Sequence, residues 1–274
     1  MTAEKNMKEK IPCSVEILTL NSADTLERCL QSVADFGDIM VLDGGSTDGT
    51  REIAERFGAR VMDQEDAQGQ NQPITDFAAV RNRGMAAARH DWFMYIDSDE
   101  YLSPESTEEI RSIAASAVPA AYVWRMPRRY VCGGRIIDCS LGYPNFQARF
   151  FDRRHVAGFI KSVHERIEPR PGERVLALRA PTYVPLASGA ELRKKFDGYI
   201  RMEDLRLVGA GRPAMVRKIW HIAGVLARNT IHIRKVIWCR GARLPFFYEW
   251  LRFEYHLKLA YFLVKRFIAP RRKL

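Results

Sequence analysis

The sequence has no C-x-x-C pair, and its five cysteines, Cys13, Cys29, Cys132, Cys139 and Cys239, are odd in number. That pattern fits neither a zinc knuckle nor a disulfide framework, so reduced, structural thiols are expected. No G-x-G-x-x-G follows the first strand-like segment, and no G-x-x-x-x-G-K-[ST] occurs anywhere. The dinucleotide fingerprint and the P-loop are thereby removed as means of holding phosphate. The N-terminal stretch MTAEKNMKEKIPCSVEIL is charged and lacks the uninterrupted apolar run of a signal peptide, which predicts a cytoplasmic protein. Internal repeats and low-complexity tracts are also missing.

What is present suffices for a sizeable core. The 274 residues are 47% hydrophobic and 11% aromatic, enough for one large α/β domain with an appendage or for two modest domains. The net charge of +10 is concentrated at one end. Residues 212–274 hold 15 Lys or Arg against two acids, Glu249 and Glu254, a local balance of +13 that leaves −3 for the rest.

Strand and helix patterns alternate through the first half. CSVEILTL (13–20), DIMVLD (38–43), ARVM (59–62) and WFMYID (92–97) read as strands. Helices are predicted over 22–36, about 48–57, the run TDFAAVRNRGMAAAR, and from SPESTEEI, where Ser103 suits the N-cap and Pro104 the first turn. This alternation predicts a mostly parallel, Rossmann-like sheet with helices on both faces, whose ligands sit at the carboxyl ends of the strands. From Pro119 to Pro185 short strand-like pieces suggest an antiparallel extension, and beyond Ser188 the pattern is helical. The expected organisation is one α/β domain over 11–187, divided at 118/119 where the antiparallel extension begins, with a basic helical region over 188–274.

Three strand ends carry polar residues: Thr19 and Asn21, then Asp43 in VLDGGSTDGT, then Asp97, Asp99 and Glu100 in IDSDE. Carboxylates so close repel one another, and burial sharpens the repulsion unless a cation or hydrogen-bond donors compensate. Hard oxygen ligands spaced as Asp97-Ser98-Asp99 can hold Mg²⁺ or Mn²⁺, which then bridges a diphosphate; alone, such a turn is more often a solvated cap. Glu16, inside a central strand, needs a partner that the sequence does not name.

SVEILTLN, VLDGGSTDGT, AAVRNRGMAAARHDWFMYIDSDE and the later VHE fall in the order and rough spacing of the family 2 glycosyltransferases, which this chain resembles over about 13–102 and more weakly to about 185. The branch it looks most like includes lipopolysaccharide-core glucosyltransferases, where an R-x-F segment and H-E follow the D-x-D; here these are Arg149, Phe151, His164 and Glu165. The resemblance implies the GT-A fold, a nucleotide-sugar donor with a UDP-sugar favoured, a Mg²⁺ or Mn²⁺ ion and usually inversion at the anomeric carbon. It implies donor-site roles for Thr19, Asn21, Asp43, Arg81 and Asp97, with Asp97 and Asp99 on the metal side. The chain departs from many members at Leu20, in place of an aromatic residue, and at Gly44, in place of an acid.

Direct inverting displacement needs a base on the far side of the sugar from the leaving group. Glu165 is the candidate and His164 the competitor, as base or as metal ligand. The implied acceptor is a saccharide or a lipid-linked glycan of the cell envelope, as in lipopolysaccharide biosynthesis. A polyprenyl phosphate is the alternative, needing no general base. A different class, a polyanion- or nucleic-acid-binding protein, is suggested by the basic C-terminal region alone, but no nucleic-acid module is recognisable. On AMVRKIWHIAGVLARNTIHIRKVIW (214–238), Arg217, Lys218, His221, Arg228, His232 and Lys235 share a sector, with Val216, Ile219, Trp220, Leu226, Ile231 and Trp238 mostly opposite. Such a helix suits either peripheral contact with the anionic inner face of the cytoplasmic membrane or packing of its apolar side on the catalytic domain.

Overall fold

The computed structural model describes residues 9–64, 69–71, 74–161, 165–206 and 212–268. The strands are β1 (Ile11–Thr19), β2 (Phe36–Asp43), β3 (Arg60–Asp63), β4 (Trp92–Asp97), β5 (Tyr101–Leu102), β6 (Val123–Cys132), β7 (Arg135–Ile136), β8 (Phe146–Asp152), β9 (Val156–Ile160), β10 (Arg166–Pro169), β11 (Val175–Ala177) and β12 (Thr182–Pro185). The helices are α1 (Ala23–Ser32), α2 (Thr50–Arg56), α3 (Phe77–Ala87), α4 (Pro104–Ala114), α5 (Gly189–Arg206), α6 (Arg212–Ile237) and α7 (Phe246–Ile268). Two compact units divide the chain: Met1–Arg129 with Pro144–Pro185, and Tyr130–Tyr143 with Leu186–Leu274.

In the first unit the main sheet runs β3-β2-β1-β4-β8-β6-β12-β5. Strands β3, β2, β1 and β4 are parallel, while β8 enters antiparallel to both β4 and β6. This is the mixed α/β sheet of the GT-A type, with the antiparallel extension on the far side of β4. Alternation along the strands divides the core into two layers. Val15 and Ile17 of β1 share one cluster with Leu26 and Leu30 of α1 and Ile110 of α4. Met40 and Leu42 of β2 and Phe93 of β4 share the other with Val80 of α3 and Phe159 of β9. Helices therefore cover both faces, and the even-numbered residues of β1, Glu16 among them, point toward α3.

Local signals explain the helix ends. The Ser103 hydroxyl accepts from the Ser106 amide at 3.1 Å and Pro104 opens α4, as the sequence predicts. Asp76 caps α3 through the Ala79 amide at 3.0 Å. Register completes the functional edge: Thr19 is paired with Asp43 and Leu18 with Asp97, so the carboxyl ends of β1, β2 and β4 lie side by side.

The second unit contains α5, α6, α7 and the β6–β7 turn, where Val131 pairs with Ile136. Met215 and Ile222 of α6 bury against Leu259 and Leu263 of α7. One expectation is corrected here: Cys139 and Cys239 form a disulfide, with Cα atoms 6.3 Å apart, while Cys13, Cys29 and Cys132 are free. The pairing joins residues 100 positions apart, which composition and spacing do not reveal. No helix among the described residues is long and apolar enough to cross a membrane.

Candidate active site

The turn after β2 is built around the Asp43 carboxylate. Its Oδ1 accepts from Thr19 Oγ1 at 2.9 Å and from Ser46 Oγ at 2.5 Å; its Oδ2 accepts from the Gly45 and Ser46 amides at 3.1 and 2.9 Å and from Arg51 at 3.3 Å. The side chain is fully buried by these partners. Asn21, in the left-handed region at φ 49°, accepts from the Thr47 amide and donates to Asn71, tying the end of β1 to the same turn. Gly45 has φ +77°, and a Cβ there would stand 2.2 Å from the Gly69 carbonyl oxygen, so the backbone approach admits only glycine. Gln64, which the sequence reading passes over, donates to the Thr19 and Leu42 carbonyls from a buried position.

Strand β4 delivers the acidic cluster. Asp97, Asp99 and Glu100 each place a carboxylate oxygen within 4.8 Å of the others. The positive charge that such a cluster demands is supplied by three arginines. Arg149 on β8 donates to Asp97 at 2.7 Å and to Glu100, Arg128 on β6 also pairs with Glu100, and Arg81 on α3 donates to Asp97 at 3.1 Å. Arg81 and Arg149 lie 4.4 and 5.1 Å from the centroid of the buried Tyr95 ring. Burial by itself would raise the Asp97 carboxyl, but Arg149 and then Arg81 hold it well below the usual carboxylate range. Glu100 is deeper, and there burial wins: its carboxyl is pushed up to about 7 despite Arg149 and Arg128.

Arg81 reaches beyond the cluster. Its Nε stands 3.5 Å from Glu165 and its Nη1 stands 3.8 Å from Glu16, so one buried guanidinium faces three carboxylates, on β1, on β4 and just before β10. Among the described residues, neither Glu16 oxygen has a hydrogen-bond partner, nor do Arg81 Nε and Nη1. Burial pushes the Glu16 carboxyl up to about 8, with Arg81 opposing and Glu165 adding to the shift. Glu16 thus has its partner, at ion-pair distance rather than in a hydrogen bond. Asn82, the next residue of α3, donates to the Phe159 carbonyl at 3.0 Å and accepts from its amide at 2.8 Å. Consecutive residues of one helix therefore hold the carboxylate cluster and the β9–β10 pair, whose first β10 residue follows Glu165. His164 lies outside the described residues.

The donor set fits a hard divalent cation: three carboxylates lie within reach of one another, and among the described residues no His or Cys joins the cluster. Asp97 and Glu100 accept from arginines, and Asp99 is the exposed member of the cluster.

Residues 14–162 match the Glycosyl transferase family 2 model, more than half of the chain. The chain belongs to the family 2 glycosyltransferases. A TPR repeat-containing protein of Synechococcus elongatus is 33% identical over 156 residues, covering 57% of this chain and 35% of the relative. A lipopolysaccharide core biosynthesis glycosyltransferase, LpsC of Rhizobium meliloti, is 27% identical over 133 residues, 46% of each chain. The chain thus spans a third to a half of the length of these curated relatives. Among solved structures, S. aureus TarS 1–349 in complex with UDP aligns with 66% of this chain and 62% of its own at 17% identity and a TM-score of 0.46.

Proposed function

We propose that this glycosyltransferase moves a sugar, with inversion, from a UDP-sugar to a saccharide or lipid-linked glycan in cell-envelope assembly, at an anionic membrane surface. The observation that carries the reading is the register of three strand ends, which sets the Asp43 turn beside the Asp97-Asp99-Glu100 cluster within the family match. The name of the R. meliloti relative supports the cell-envelope assignment.

In this reading the Asp43 turn receives the nucleoside, its carboxylate fixing the turn while backbone groups face the ligand. Asp97, clamped between Arg81 and Arg149, borders the ribose and diphosphate. Asp99, with Asp97, would hold Mg²⁺ or Mn²⁺, which when bound supplies Lewis-acid stabilisation of the departing diphosphate. Glu165 takes the proton of the acceptor hydroxyl as the acceptor oxygen bonds to the anomeric carbon and the bond to the diphosphate breaks. Arg81 orients Glu165 through the 3.5 Å ion pair.

The test is a thermal-shift screen with UDP-, GDP-, dTDP- and CMP-sugars, each with Mn²⁺ and with chelator, on the native protein and Asp99→Ala. Stabilisation by the UDP-sugars that needs both metal and Asp99 is expected, about 2.7 kcal/mol at a hundredfold excess over Kd. Stabilisation indifferent to Asp99 and chelator would remove the metal assignment, and none by any donor would remove the donor site.

A further inference from the structure

The face of α6 that packs on α7 is not its only apolar face. Met215, Ile219, Ile222 and Leu226 join the shared core, whereas Val216, Trp220, Ile231 and, one residue past the helix, Trp238 point into solvent. At 100° per residue these four fall within about 60° of arc. Helix α7 repeats the arrangement, with Leu259 and Leu263 in the core and Phe246, Trp250, Tyr261 and Ile268 exposed, again within about 60°. The exposure is large: Trp220, Trp238, Phe246, Tyr261 and Ile268 are 71–83% accessible.

The two stripes share a side. Helices α6 and α7 are joined by residues 238–245 and pack on each other, so they run antiparallel. The exposed stripe stands about 125° from the core-facing stripe on α6 and about 150° on α7, in the same rotational sense. A two-fold turn that exchanges antiparallel neighbours keeps the upper side uppermost, so both stripes form one apolar plate.

Cations rim it. Arg217, Arg228 and Lys235 follow the stripe on the outer side of α6, and Lys258 and Lys265 do so on α7. Helix α6 carries no acid; on α7 Glu249 is buried, and Glu254 pairs with Lys258 at 2.9 Å and with Arg193 at 3.3 Å, while Lys258 also reaches Asp197 of α5 at 3.5 Å, so the rim on α7 rests on Lys265. Monomer surfaces rarely leave aromatic residues exposed in contiguous rows, so the plate has an occupant. Isologous pairing with a second copy would set rim against rim, cation against cation. Apolar insertion flanked by basic rims matches a bilayer with anionic headgroups, and neither helix can span it.

We infer that the α6–α7 hairpin lies flat in the headgroup region of an anionic bilayer, with Trp220, Trp238, Phe246, Trp250 and Tyr261 inserted and the basic rims on the phosphates. The inference deepens the membrane contact included in the reading above. It differs from the sequence-based picture, in which the apolar side as a whole is either membrane-directed or packed: the helix has one apolar stripe for each.

The experiment is flotation of the full chain, without donor, on phosphatidylcholine vesicles with and without phosphatidylglycerol. The native protein is compared with Trp238→Ala/Phe246→Ala and Arg228→Glu/Lys235→Glu. All four substitutions are on the surface, and thermal melts confirm the fold. Partitioning onto anionic vesicles should fall at least about tenfold in the first variant and about tenfold or more in the second. Brominated lipid should quench Trp220, Trp238 and Trp250, while Trp92 and Trp124, buried in the other unit, stay bright. Equal binding to neutral vesicles, no binding, or salt-sensitive binding to vesicles and to RNA alike that ignores Trp238→Ala/Phe246→Ala would each overturn the inference. Concentration-dependent dimers abolished by that variant would overturn it in favour of a second copy. UDP-sugar thermal shifts, measured alongside, are expected to be unchanged by these variants, so failure of the membrane inference is distinct from failure of the donor site.

Discussion

Glu16→Gln isolates one buried titration. The carboxyl is fully buried, faces Arg81, with Glu165 and Asp97 beyond it, and is raised from 4.5 to about 8. Between those values the unfolded chain has lost the proton and the native protein has kept it. The native state binds more protons, so stability falls as pH rises. The contribution is fully present below about pH 4.5 and is lost as pH passes through about 8. From pH 6 to pH 9 the native state releases nearly one proton that the unfolded state has already lost. At about 1.36 kcal/mol per pH unit, integration over this interval gives a loss of roughly 3 kcal/mol. Glutamine has the same shape and no titration, so the difference in unfolding free energy between native protein and variant should move by that amount across the interval. This corresponds to about 6 to 12 °C in melting temperature. Urea unfolding at half-unit pH steps measures the difference directly, and the subtraction removes other titrating groups, Glu100 included. Any constant offset reflects the amide beside Arg81 and is irrelevant to the slope. Parallel curves for the two proteins from pH 6 to 9 would refute the reasoning.

Gly84→Ala should destabilise, because the new Cβ would stand 2.8 Å from the Glu16 carboxyl carbon. The crowding costs about 1 to 3 kcal/mol against a helix-propensity gain of about 1, and a lowered urea midpoint checks the balance. Arg149→Met leaves Glu100 paired with Arg128 and removes one of two guanidinium groups from Asp97; a loss of about 3 to 5 kcal/mol is expected by chemical unfolding at neutral pH. Glu165→Gln should suppress transfer by about 10² to 10⁴ while the UDP-sugar thermal shift survives; transfer at the native rate in a radiolabelled-acceptor assay would exclude Glu165 as the base.

The parallel half of the sheet was legible because its signals are local. Strand β4 matches WFMYID residue for residue, and Ser103 caps α4 where the sequence places the cap. The carboxylate cluster was legible too, as was its need for positive charge. Its counter-ions were not. Arg149 lies 52 residues from Asp97 and Arg128 lies 28 from Glu100, and pairings across strands leave no periodic trace. Arg81 and Asn82 offered the same difficulty in another form. Helix α3 is apolar on several sides, so its pattern does not distinguish a solvated arginine from a buried one that serves three carboxylates. On α6 the apolar positions were visible, but two stripes on one helix cannot be separated until a neighbour shows which is covered. The disulfide escaped for the plainest reason: two cysteines far apart in sequence look the same whether they meet or not.

Arg81 has a consequence for redesign. Family 2 chains invite modular thinking, in which the parallel sheet is kept and the segment after β8 is exchanged. Here residue 165 docks on a guanidinium that also braces Asp97, and Asn82 pins β9 from the adjacent helical position. A transplanted segment lacking an acid at that place would leave Arg81 to swing fully onto Glu16 and Asp97, altering the carboxylate cluster in a chimera meant to change only the exchanged segment. The exchangeable module is therefore larger than the segment: it includes two consecutive residues of α3.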